Sequence, residues 1–240
     1  MNLYFDTEFT GLQKDTSLIS LGIIDENDHT FYAEFIDYNE AQCNQWITEN
    51  VIKKLLINDI KYGPYADTDE NSTTVKGDKA FVASQLWEWL KAHDDVMWVS
   101  DVCQYDMVLL IDLISPTHNA LNLPKFISSA CFELNNEIAK FYGLSSKVAF
   151  DKSREDIVKD LQNRYKCEFP YLSNLADSDK HNSLYDAKII KAIYNGITTV
   201  NNQLYSYFEY LSTFPKNATT TAELANWARS HCKNLLRMGD

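Results

Sequence analysis

Residues 4–12 read Tyr-Phe-Asp-Thr-Glu-Phe-Thr-Gly-Leu, an apolar run carrying two carboxylates one residue apart, Asp6 and Glu8. In a strand, residues i and i+2 share a face. Both acids therefore project together from a segment whose other side chains belong in a core. Left bare, the pair would repel and lose its hydration. A hard divalent cation relieves both costs, and an all-oxygen ligand set suits Mg²⁺ or Mn²⁺. Two further clusters can complete such a site. In Trp98-Val-Ser-Asp-Val-Cys-Gln-Tyr-Asp106-Met-Val-Leu-Leu110, Asp106 stands in the opening turn of an expected helix, on the stripe of Leu109, Leu110 and Leu113. Asp101, at the end of the preceding strand, is its rival. In His181-Asn-Ser-Leu-Tyr-Asp186-Ala187, Asp186 shares a stripe with Ile189, Ile190 and Ile193, and His181 precedes the helix on a segment free to move. Acids at helix starts are commonly caps, so the metal reading depends on all three clusters meeting.

The elements that must bring them together follow from patterning. Residues 2–9, Leu18–Ile24 and Thr30–Phe35 read as strands, the last two joined across the turn-like Asp25-Glu-Asn-Asp-His29, which suggests an antiparallel meander. Residues 41–57 place Trp46, Ile47, Val51, Ile52, Leu55 and Leu56 at helical spacing. The polar stretch Lys61–Lys79 reads as a mobile loop. A helix over Asp78–His93, a strand over Val96–Ser100 and a helix over Tyr105–Ile114, halted by Pro116, come next. Helices are expected over 133–143, 151–165 and Leu184–Val200, and a last one near Thr221–Leu236 opened by a threonine cap. The fold class is therefore α/β: a mixed sheet of three antiparallel strands plus parallel strands, flanked by helices. Residues 1–202 form the main domain and 203–240 a helical extension containing the aromatic run Tyr205-Ser-Tyr-Phe-Glu-Tyr210.

Bulk properties narrow the class. At 45% hydrophobic and 23% charged, the chain has an ordinary globular composition. No apolar run approaches the ~20 residues that span a bilayer, and a cleavable leader would remove Asp6 and Glu8. Five scattered cysteines without a C-x-x-C pair point to a reducing compartment, hence the cytoplasm, and away from structural zinc. Net charge is −12, but unevenly spread. Residues 1–120 hold 7 Lys and Arg against 21 Asp and Glu, while residues 121–240 hold 15 against 13. That distribution disfavours tight nonspecific duplex binding and is compatible with short or single-stranded nucleic acid.

Together the clusters resemble the DEDDh branch of the DnaQ-like 3′-5′ exonucleases, which includes ribonuclease T, oligoribonuclease and polymerase proofreading subunits. The first motif of that family, D-x-E-x-T-G-L, is matched by Asp6-Thr-Glu8-Phe-Thr10-Gly11-Leu12; five such matches arise by chance with a probability of order 10⁻⁴ at average composition. The third, H-x-A-x-x-D-A, appears as His181 to Asp186-Ala187 with Ser183 in place of Ala. Only the latter half of the second motif survives, as Tyr105-Asp106-Met-Val-Leu-Leu110, with Asp101 where the family often has His. Leu3–Phe35 and Trp46-Ile-Thr-Glu-Asn-Val51 also look like an exoribonuclease subgroup related to ribonuclease AS.

The resemblance covers about residues 1–200 and implies a ribonuclease H-like fold and a two-metal-ion 3′-5′ exonuclease. Its substrate would be single-stranded nucleic acid or short oligonucleotides, RNA ahead of DNA. The ions would be Mg²⁺ or Mn²⁺, ~3.5–4 Å apart. Asp6 would bridge them, Glu8 and Asp186 would complete the shell of the first, and Asp106 would hold the second. His181 would be the general base. Phe9, Thr10 and Leu12 would lie against the terminal nucleotide, and a homodimer is expected. Two other readings keep the fold: a catalytically silent binding module, and a trimming or proofreading subunit active only in a complex.

Overall fold

The computed structural model describes residues 1–57, 60, 63–115, 117–173 and 179–212, with side chains described as far as residue 206. Pro116, the aromatic run beyond Ser206 and the helix expected near Thr221–Leu236 lie outside the described residues or side chains. The elements are β1 (Asn2–Phe9), β2 (Leu18–Asp25), β3 (Thr30–Phe35), α1 (Gln45–Asn50), β4 (Tyr65–Thr68), β5 (Ser72–Gly77), α2 (Lys79–Leu90), β6 (Val96–Ser100), α3 (Cys103–Ile114), β7 (Ile127–Glu133), α4 (Leu134–Tyr142), α5 (Ser146–Asp151), α6 (Arg154–Tyr165) and α7 (Ser183–Ser212). Short 3₁₀ turns cover Glu40–Gln42, Ile52–Lys54, Ala120–Asn122 and Pro170–Leu172.

Seven strands form one mixed sheet in the order β4-β5-β3-β2-β1-β6-β7. β1, β2 and β3 make the antiparallel meander, β6 and β7 continue it in parallel beyond β1, and β5 joins β3 in parallel. β2 is buried along its whole length because helices cover both of its faces. Leu3 and Phe5 point to a core shared with α2 and α3, while Tyr4 points to a second core shared with α4, α6 and α7. This alternation is the period-2 pleat.

Three departures from the sequence expectations have physical causes. The stretch read as a loop over Lys61–Lys79 contains the hairpin β4–β5, whose strands pair from Tyr65–Lys76 to Thr68–Thr73. As an edge hairpin it faces water on alternate positions, so its polar side chains disguise it. The helix read over 41–57 is broken. Asn44 caps α1 by accepting from the Ile47 N–H (2.9 Å), and the chain leaves helix again at Leu55. The helix read over 151–165 starts only at Arg154, because Ser153 caps α6 through the Asp156 N–H, and Asp151 instead closes the separate, unexpected α5. β7, parallel to β6, has no counterpart among the expected elements.

What places the site is the approach of α7 to the sheet. Gly22 of β2 is the register partner of Asp6, and Ser20 that of Glu8. A Cβ on Gly22 would stand 2.3 Å from the Leu184 backbone N, so only glycine lets the first turn of α7 reach the sheet there. Ser183 Oγ and Ser20 Oγ are 2.9 Å apart in a buried hydrogen bond. Further along, the buried Lys191 ammonium donates to the carbonyls of Asp25 (2.6 Å) and Glu26 (3.2 Å) and to Asp28 Oδ1 (2.6 Å). That locks α7 to the β2–β3 turn. Residue 202 lies inside α7, which continues without a break to Ser212.

Candidate metal centre

β1 pairs with β6 only as far as Tyr4–Val99. Beyond that point β6 ends and the chain turns into α3, leaving Asp6–Phe9 open on one side. A register irregularity between Glu8 and Phe9 re-aims the strand end there. The opening is a cavity of about 640 Å³, within the ~300–1,000 Å³ usual for ligand sites. Asp6, Glu8, Phe9, Thr10, Leu12, Asp101, Asp106, His181 and Asp186 all line it.

The three clusters thus reach one cavity, though not equally closely. Glu8, His181 and Asp186 bring one ligand atom each to within 4.8 Å of one another. Asp6 and Asp106 border the same space outside that group. Asp106 is buried, held by the Thr7 hydroxyl on Oδ1 (2.5 Å) and the Ser100 hydroxyl on Oδ2 (2.9 Å). Asp101 is instead committed to Arg154, whose Nε lies 2.5 Å from its Oδ2. The other guanidinium donors of Arg154 go to Asn135 and to the carbonyls of Ala149 and Lys152.

His181 is less free than its position before a helix suggests. Its backbone is left-handed (φ 67°) and its N–H donates to Asp186 Oδ2 (2.9 Å). Asn182 supplies the cap of α7, accepting from the Leu184 and Tyr185 N–H groups at 3.1 and 3.2 Å. Asn182 also donates to the Lys54 carbonyl (3.0 Å), and the Lys54 ammonium donates to the Lys180 carbonyl (2.6 Å). The imidazole meets the Trp46 ring edge-on, centroids 5.0 Å apart and planes at 72°. Segment 179–182 is therefore fastened to segment 44–54.

The four acids hold their protons tightly. Burial, then the Asp106, Asp186 and Glu8 charges, pushes Asp6 well above the usual carboxylate range. Burial and then Asp186 and Asp106 do the same to Glu8, against an opposing pull from Lys54. Burial drives Asp106 up to about 7 despite its two hydroxyl donors. Burial and then Asp101 carry Asp186 to about 8. His181 moves the other way, below its ordinary value, through burial and then the Lys180 and Lys54 charges. Desolvated carboxylates that also repel one another are a donor set that fits divalent cations, whose charge would offset both effects.

The remaining expected residues differ in what they offer. Phe9 stacks on Tyr105 (centroids 5.6 Å, planes at 18°), and the Tyr105 hydroxyl donates to the carbonyl of the exposed Leu12 (2.8 Å). The Thr10 side chain is buried, its hydroxyl donating to Gln42 Oε1 (2.6 Å), and its N–H donates to the Ser17 carbonyl (3.0 Å). Thr10 braces the loop more than it presents polar atoms to the cavity. Trp46, Gln42, Arg154 and Lys180 also line the cavity without having been read as site residues. Only Trp46 carried a usable signal, an indole at the first turn of a helix with a cap just before it.

No family model and no curated protein matches the chain. Among solved structures, the RNase domain of the yeast Pop2 protein matches it with a TM-score of 0.52 at 14% identity, covering 83% of this chain and 77% of that one. At that identity the likeness is one of fold, and the fold is the α/β mixed sheet described above. Among the described residues, no helix is long and apolar enough to cross a membrane.

Proposed function

We propose that this protein is a divalent-metal-dependent nuclease that removes nucleotides from the 3′ end of single-stranded nucleic acid or short oligonucleotides, RNA ahead of DNA. The observation that carries the reading is the convergence of Asp6, Glu8, Asp106 and Asp186 with His181 around one open cavity. The fold likeness to an RNase domain adds to it, as does the D-x-E-x-T-G-L match at Asp6–Leu12.

In this reading Asp6, Glu8 and Asp186 would hold one Mg²⁺ or Mn²⁺, and Asp106 together with Asp6 the second. Bound ions of this kind lower the pKa of a coordinated water and offset charge on a leaving oxygen. Thr7 and Ser100 keep the Asp106 carboxylate aimed at the cavity. The imidazole of His181, neutral at pH 7 because its pKa is lowered, takes the proton of the attacking water at a ring nitrogen. Trp46 and the Asp186–His181 backbone bond keep that ring beside Glu8 and Asp186.

The test is a digestion of 5′-labelled RNA and DNA with Mg²⁺, with Mn²⁺ and with chelator. A ladder shortening from the 3′ end is expected only with metal. Asp6→Ala should slow it by more than about a hundredfold, since even outer partners of metal ligands cost ten- to a hundredfold. An unchanged ladder from Asp6→Ala refutes the metal assignment, and binding without any ladder turns the reading to a silent module. The same reading retains residues 203–240 as an extension and a homodimer as the assembly, on the strength of the resemblance. Light scattering of the full chain measures the mass.

A further inference from the structure

Two thiols meet at the start of α3, outside the carboxylate cluster. Cys103, the first residue of that helix, and Cys131 of β7 have sulfurs 2.7 Å apart, the Cys103 S–H donating. Both are free and only partly buried. Among the described residues the other free thiols, Cys43 and Cys167, meet backbone carbonyls instead, at 3.9 and 4.0 Å. The meeting is built into the fold. Cys131 is the register partner of Trp98 in β6, and β6 ends at Ser100, so a short turn brings the chain back to Cys103. The Cys103 N–H donates to Glu133 Oε2 (3.0 Å), which fastens the first turn of α3 to the strand that carries Cys131. The sulfurs thus face each other across 28 positions of chain with both backbones already held.

We propose that Cys103 and Cys131 are a reversible dithiol modification site, oxidised to a disulfide by low-molecular-weight disulfides of the glutathione class, and that the bond clamps the start of α3 to β7. Bonded sulfurs stand about 2.05 Å apart, so closure asks for less than about 1 Å of movement. In a reducing milieu such bonds are transient and respond to redox state rather than hold the fold. The S–H that Cys103 donates favours negative charge on the Cys131 sulfur, and the thiolate is the nucleophile. Cys131 therefore attacks one sulfur of the small disulfide, forms a mixed disulfide and expels one thiol. Cys103 then attacks the Cys131 sulfur, breaks the mixed bond and expels the second thiol. The two protein thiols lose two electrons and two protons, and the small disulfide takes up both as two free thiols. The site does not depend on the nuclease reading. It does touch the same segment, because Ser100 gives its carbonyl to the Cys103 thiol (3.7 Å) and its hydroxyl to Asp106.

The experiment exposes the reduced full chain to glutathione disulfide, traps the thiols that remain with N-ethylmaleimide and maps peptides by mass spectrometry without reduction. The Cys103 and Cys131 peptides should appear joined and two hydrogens lighter than their sum, and dithiothreitol should restore both thiols. The remaining cysteines should carry glutathione or maleimide. In denaturant the same treatment should scatter crosslinks among the cysteines, because the fold no longer holds these two together. Glutathione disulfide should also raise the melting temperature of the wild type by about 5–10 °C, the effect of one crosslink closing a loop of this size, and leave Cys131→Ser unmoved. Amide hydrogen exchange at the start of α3 should slow on oxidation and recover with dithiothreitol. Cys103 and Cys131 found separately blocked, once Cys43 or Cys167 carries glutathione, overturns the proposal. So does a link from either to another cysteine, or a Cys103–Cys131 link that dominates equally in denaturant. A melt and an exchange pattern that oxidation leaves unchanged, or a Cys131→Ser melt that rises as the wild type does, overturns the clamp.

Discussion

At the scale of single residues, the cluster of four acids is a stability liability while its charges are uncompensated. Asp6, Glu8, Asp106 and Asp186 all hold protons more tightly in the folded chain than an unfolded carboxylate would. Between about pH 4 and pH 8 the native state thus binds more protons than the unfolded one, so this cluster's contribution to stability falls as pH rises. Metal-free Asp6→Asn should accordingly melt above metal-free wild type at pH 8, with the gap closing toward pH 4, where both states are protonated. Added Mg²⁺ or Mn²⁺ should raise the wild type and leave the variant nearly unmoved. Thermal melts with and without chelator read both effects, and a variant that melts lower at pH 8 contradicts the account. Much of this cluster was legible as residue types at fixed spacing, since the pleat alone sends Asp6 and Glu8 the same way. The pairing of Asp101 with Arg154 was not, because that arginine stands 53 residues away and its route to Asp101 is purely tertiary.

At the scale of elements, the decisive contact is backbone against backbone. Gly22 pairs with Asp6 on one side and admits the first turn of α7 on its face, which brings Asp186 to the strand that carries Asp6 and Glu8. Gly22→Ala improves strand propensity slightly, but the added methyl would meet the Leu184 backbone at 2.3 Å, and main chain does not yield as a side chain does. The clash outweighs the propensity. A loss of about 1–3 kcal/mol in denaturant unfolding is expected, with nucleotide release at 25 °C falling further than the lost stability explains, because Asp186 moves with the helix. A variant of wild-type stability and turnover would remove Gly22 from the argument. The meander was readable from its apolar runs, and α2, α3 and α7 because each buries a regular stripe. The β4–β5 hairpin and β7 were not: their residues are largely half-buried or exposed, and what makes them strands is the hydrogen-bonding edge a neighbour offers.

At the scale of the whole molecule, acidic residues concentrate in the first half of the chain, yet the cavity also takes Lys180 and Arg154 from the second. The halves meet along α7, which packs on β1, β2 and α6. Lys191, in the first third of that helix and sealed from water, turns this contact into a chemical clock. Acylating reagents modify solvated amines such as Lys53, Lys91 and Lys140 at once, whereas the Lys191 amine is shielded, its protons given to two carbonyls and a carboxylate. Mass spectrometry of a timed labelling series should find Lys191 untouched in the folded chain and reactive only as denaturant loosens the helix from the sheet. The rate at which that one amine acquires a tag then reports how often the platform beneath Asp186 comes undone.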